Sequence, residues 1–111
     1  MSLLTKIAAP ILRRTKSQAE LDAMLLRPGL SHRPLVTESA VLAGADVHVD
    51  DDHALRTVAY AGNAALTELL IRRYQMPKDR GVLQDIQRKA GYFNDPKINQ
   101  IFDRVLGPTI N

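Results

Sequence analysis

Apolar residues along this chain recur at helical spacing. Ile98, Ile101, Phe102, Val105 and Leu106 follow an i, i+3, i+4, i+7, i+8 pattern, which places one apolar stripe along a helix. Asp95-Pro96 opens that helix as cap and first residue, because proline lacks the N–H that a helix start leaves without a partner. Gly107-Pro108 stops it. In the same way Pro34 opens a helix carrying Val36, Ala40 and Val41, and Gly44 closes it. Ser17 with Glu20 forms a capping-box pattern before Leu21, Met24 and Leu25. No segment alternates long enough for a convincing strand. The pattern predicts an all-α chain with helix pairs over about 17–43, 53–74 and 82–106, and with Gly62 between the helices of the middle pair.

The pattern also repeats. Leu66, Leu69 and Leu70 recur in a later unit as Ile98, Ile101 and Phe102, and Ala54, Leu55 and Val58 recur as Val82, Leu83 and Ile86. The second-helix offset exceeds the first-helix one because the later unit has a longer turn, Gly91-Tyr92-Phe93-Asn94. Toward the N-terminus the match is weaker. There Val58, Ala59 and Gly62 correspond to Leu25, Leu26 and Gly29, while Leu70 and Ile71 correspond to Ala40 and Val41. Three degenerate units are expected, near 17–46, 47–77 and 78–108, preceded by a segment over 1–16. A single helix pair cannot bury its own apolar face, so such units exist to be stacked.

Gly44-Ala45-Asp46-Val47, the alanine-rich helix that follows, the Gly62-Asn63 turn and the Leu69-Leu70 pair together resemble an ankyrin repeat. The resemblance is most specific over 44–73. The start His53-Ala54-Leu55-Arg56 replaces the family's Thr-Pro-Leu-His, and Tyr74-Gln75-Met76-Pro77 stands where the family would repeat its Gly-Ala-Asp turn. A helical-hairpin protein carrying one ankyrin-like unit is the alternative. The resemblance implies an all-α solenoid of stacked antiparallel helix pairs with an N-terminal capping helix. It also implies non-catalytic binding of another protein through the concave face. Degenerate ankyrin proteins this short are common in bacteria, large viruses and phages.

Composition agrees with that reading and narrows it. Only two Phe, three Tyr and no Trp among 111 residues suit helix pairs lined by Ala and Leu better than a β-sandwich. The absence of cysteine excludes disulfides and thiolate metal sites, and a cytoplasmic setting is expected. No apolar run approaches the ~20 residues of a membrane-spanning helix. The formal charge of +3 is uneven: residues 1–19 contain Lys6, Arg13, Arg14 and Lys16 without an acid, and the remainder is slightly acidic. The basic character therefore belongs mainly to one segment. Leu3, Leu4, Ile7, Ile11 and Leu12 fall roughly on one face of that segment, which fits a cap over the first unit, a mitochondrial presequence or a membrane-surface helix. Pro10 argues against one long interfacial helix, and the cap is the preferred reading.

Candidate chemistry is sparse. Asp50, Asp51 and Asp52, with Asp46, His48 and His53 nearby, could hold a cation, but the alternating ligands, central glycine and distal Glu of a calcium loop are absent. A helix cap among aspartates that solvate a hairpin tip is the simpler reading, and no metal is expected. No nucleophile motif or phosphate-cradling glycine loop is present, so no catalysis and no cofactor are expected.

The basic residues Lys78, Arg80, Arg88 and Lys89 correspond, at the first-helix offset, to Asp50, Asp52, Tyr60 and Ala61. Carried over from the ankyrin pattern, these are hairpin-tip and first-helix positions of the concave face. The expected partner-binding set is Val49, Asp50, Asp52, Tyr60, Lys78, Arg80, Arg88 and Lys89. The alternative is an electrostatic binder of nucleic acid or an anionic membrane surface, using the N-terminal cations with Arg72, Arg73, Lys78, Arg80, Arg88 and Lys89. The scarcity of aromatics makes base stacking an unpromising part of it.

Overall fold

The computed structural model describes residues 3–75, 77–91 and 95–107. Turn positions 92–94, Met76 and Pro108, which the sequence reading used, lie outside them. Among the described residues the chain is helical throughout, with no strand. The helices are α1 (Leu3–Thr15), α2 (Gln18–Met24), α3 (Pro34–Ala43), α4 (Val49–Tyr60), α5 (Ala64–Ile71), α6 (Arg80–Ala90) and α7 (Pro96–Leu106), with a 3₁₀ turn at Leu30–His32. Two compact units divide the chain, 1–54 and 55–111, and the boundary falls inside α4.

The helix ends follow from the side chains at them. Ser17 Oγ accepts from the Glu20 amide and Glu20 returns a carboxylate to the Ser17 amide, the reciprocal box that the sequence predicts. Asn63 accepts from the Leu66 amide at 3.1 Å, and its repeat counterpart Asp95 accepts from the Lys97 and Ile98 amides. Pro34 and Pro96 both open their helices. Gly44 closes α3 in the left-handed region, at φ 106.

In the first unit α1 packs along α3, and α2 packs against α3. α1 runs unbroken across Pro10, which is exposed. Pro10 removes the amide partner of the Lys6 carbonyl, yet the helix continues, and Lys6 is an exposed residue. Arg13 Nη1 donates to the Ala43 carbonyl at 3.0 Å, so a cation meets the C-terminal, negative end of α3. Gln18 donates to the Gly44 carbonyl and Asp22 accepts from the Asp46 amide. These bonds tie the ends of α1 and α2 to the turn after α3. Thr37 is fully buried, and its hydroxyl bonds back to the Leu30 and Arg33 carbonyls.

The second unit contains the C-terminal half of α4 together with α5, α6 and α7. α7 packs against both α6 and α5. α5 is buried on most of its circumference, at Leu66, Thr67, Leu69, Leu70 and Ile71, the profile of a central helix. Leu83, Ile86, Ile98 and Phe102 are at most 1% exposed. Each is a position that the repeat comparison assigns to the core. Smaller features repeat too. Thr67 bonds back to Asn63 as Thr37 does to Arg33. Gly29 and Gly62 share nearly the same left-handed geometry, φ 77 and 76.

Candidate functional site

The expected binding residues fall in two groups. Val49, Asp50 and Asp52 belong to the first unit, and Tyr60, Lys78, Arg80, Arg88 and Lys89 to the second.

In the first group the backbone departs from expectation. Asp50, Asp51 and Asp52 have φ of 52, 55 and 61, so α4 begins with a left-handed turn before its right-handed part. Each non-glycine residue held there costs about 1–2 kcal/mol, less for Asp, whose short side chain can bond locally. Asp50 and Asp51 are exposed, as a solvated tip requires. Asp52 is not: it is 5% exposed, and its Oδ1 lies 2.6 Å from His48 Nδ1. The His48 amide donates in turn to Asp46 Oδ1 at 2.9 Å. Asp52 therefore differs from Asp50 and Asp51 in lying buried against His48. The left-handed turn carries its side chain inward, where the imidazole satisfies it. Among the described residues no group of three or more His, Asp or Glu side chains converges in a way that could hold a metal.

Three of the second group, Tyr60, Arg88 and Lys89, belong to a surface cluster around a residue outside the expected set, Asp85. Its Oδ2 accepts from Arg56 Nη1 at 3.1 Å and lies 3.4 Å from Lys89 Nζ, and its Oδ1 accepts from Arg88 Nη2 at 2.7 Å. Arg56 also reaches the Tyr60 hydroxyl at 3.4 Å. Arg56 and Tyr60 come from α4, and the other three residues from α6. Arg56 is the most enclosed member, with 20% of its side chain exposed, whereas Arg88 and Lys89 are 71% and 50% exposed. The hydrogen bond from Arg56, together with Arg88 and Lys89, holds the Asp85 carboxyl below the ordinary carboxylate range. Arg56, Arg88 and Lys89 thus share the Asp85 carboxylate beside the Tyr60 phenol. Lys78 is exposed before α6, and Arg80, its first residue, is half-buried. Neither has a bond to Asp85 among those observed.

Asp85 could have been found from the chain, whereas Arg56 carries no such signal. Arg88 and Lys89 stand at i+3 and i+4 from Asp85, the spacing at which opposite charges meet on a helix. Arg56 falls one position out of the first-helix repeat register with Asp85.

A second polar group lies between α5 and α7. Glu68 Oε1 is shared by Arg72 and Arg104, each at 3.4 Å, at the mouth of a hollow of about 330 Å³ floored by Ile71, Tyr74 and Ile101. Both arginines are about two-thirds exposed, so these pairs contribute little to stability. Comparison with family models, with curated proteins and with solved structures finds no match to this chain.

Proposed function

We propose that this chain is a non-catalytic protein-binding module, a degenerate ankyrin-like stack that recognises an acidic segment of a partner through Arg56, Tyr60, Asp85, Arg88 and Lys89. The observation that carries the reading is the sharing at Asp85: one carboxylate orients three cations, two of which, Arg88 and Lys89, are at least half exposed. The ankyrin-like arrangement is supported by α4 and α6 joining through Arg56 and Asp85 while α5 and α7 pack together. First helices meeting first helices, and second meeting second, is what stacked helix pairs require. In such a stack the first-helix face is the one left for recognition.

Asp85 fixes the guanidinium of Arg56 before any partner arrives, which lowers the ordering cost of binding. The rim cations Arg88 and Lys89 steer approach, and Tyr60 supplies the amphipathic area that anchors interfaces. A partner captured from the source cells and then purified provides the test. Tyr60→Ala should weaken binding by roughly 1–3 kcal/mol. Arg88→Glu with Lys89→Glu should chiefly slow association, most strongly at low salt. Unchanged binding in both variants would refute this surface as the site. A steep linear fall of log affinity with log salt, with nucleic acid competing for the site, would favour the polyanion reading instead.

A further inference from the structure

α1 turns two small residues inward and four large ones outward. Thr5 and Ala9 are buried along α3, while Leu3, Leu4, Ile7 and Ile11 are 73%, 63%, 54% and 55% exposed. A helix whose only role was to cover α3 would present its leucines and isoleucines to it. At about 100° per residue Leu3, Ile7, Ile11 and Leu4 occupy one arc of the helix, so the exposed side chains form a continuous stripe. The stripe runs on into a shallow groove of about 320 Å³ between α1 and α3, bordered by Ile11, Met24, Leu35 and Val36. A contiguous apolar surface of this kind marks an interaction site.

The charges around the stripe indicate what covers it. Lys6 borders it and Arg14 closes its C-terminal end, both exposed and without a hydrogen bond or ion pair among the described residues. Arg13 is engaged by the Ala43 carbonyl, and Lys16 lies 3.9 Å from Glu20. No acid occurs on α1. A second copy laid along the same stripe would set one acid-free helix against another, with the cations repelling. The stripe also has no aromatic side chain of the kind that anchors protein interfaces.

We propose that α1 seats this chain on an anionic lipid surface. The helix axis lies in the interface plane, the four aliphatic side chains enter the acyl boundary, and Lys6 and Arg14 reach the headgroup phosphates. Thr5 and Ala9 keep α1 docked on α3 meanwhile, so docking to lipid needs no unfolding. This surface lies in the first unit and is independent of the Asp85 cluster, so either proposal can fail without the other.

Sedimentation of the full chain with vesicles tests it, using phosphatidylcholine alone and phosphatidylcholine mixed with phosphatidylserine. The expected result is binding to the mixed vesicles only, weakening as salt rises. Ile7→Ser with Ile11→Ser should lower partitioning by roughly tenfold or more, since both side chains leave the acyl boundary. Lys6→Glu with Arg14→Glu should lower it by a similar factor. These positions are exposed, so circular dichroism and the melting midpoint should stay near those of the parent. Absence of binding to the mixed vesicles, or binding by both variants as strong as that of the parent, would overturn the proposal. A dimer in velocity sedimentation that the isoleucine variant dissociates would overturn it in favour of a second copy.

Discussion

Asp85 gives the cluster on α4 and α6 a pH dependence with a definite sign. Its folded pKa is depressed, first by the hydrogen bond from Arg56 and then by Arg88 and Lys89. A carboxylate of this kind stabilises the fold above its unfolded pKa, about 4, and that contribution is lost as pH falls through the lower folded value. Asp85→Asn should therefore melt below the parent at neutral pH, with the gap closing in the acid range below about pH 4. Thermal melts across that range check this, and a gap that persisted into acid would assign the effect to packing. The gap should also shrink with added salt, because the pairs are partly exposed. At this scale the sequence is half legible. Periodicity and repeat offset point to Tyr60, Arg88 and Lys89, but a pairing between α4 and α6 depends on how the helices face each other, which spacing alone does not state.

Helices and their ends are the most legible part of the chain. Ser17, Asn63 and Asp95 cap as their chemistry predicts, because a cap is a local hydrogen bond that needs nothing distant to form. Gly62, which joins α4 to α5, adds a requirement that is not local. At φ 76 any side chain is strained there, and a Cβ would also lie 2.7 Å from Asp95 Oδ2, the carboxylate that caps α7. Gly29 has nearly the same φ and nothing within 4 Å of the equivalent position. Gly29→Ala should thus cost about 1–2 kcal/mol from backbone strain alone, and Gly62→Ala more, because it also disturbs the α7 cap. Urea unfolding of the two variants side by side measures the difference. Equal losses would show that the Asp95 carboxylate yields freely. The left-handed turn at Asp50–Asp52 is not legible. An Asp-rich segment before an apolar helix reads as a cap, and nothing local distinguishes three residues held at positive φ.

The buried residues described are mostly aliphatic, and α5 is enclosed on most of its circumference. Leu70 is 0% exposed, and a carboxylate there has no partner to offset its desolvation. Leu70→Asp should cost several kcal/mol, comparable with the ~5–15 kcal/mol of a whole domain, and abolish a cooperative thermal transition. A retained sharp melt with parent-like circular dichroism would contradict that placement. α1 packs along α3, yet Leu3, Leu4, Ile7 and Ile11 point outward. Periodicity reports that an apolar face exists; whether that face meets protein or solvent is decided by which side of the helix the small residues occupy.

The left-handed aspartate turn also limits how this chain can vary. At positions 50, 51 and 52 a β-branched or bulky residue would bring its Cβ against the following carbonyl, whereas Gly, Asn and Asp fit with the least strain. Position 52 is narrower still, since glycine would leave the His48 imidazole without this carboxylate and a longer acid would need room that a 5% exposed site does not have. Mutational drift through this segment is channelled into three residue types at two positions and nearly one at the third. Like the glycine at position 62, this turn leaves the genetic alphabet short where helix faces accept many aliphatic exchanges.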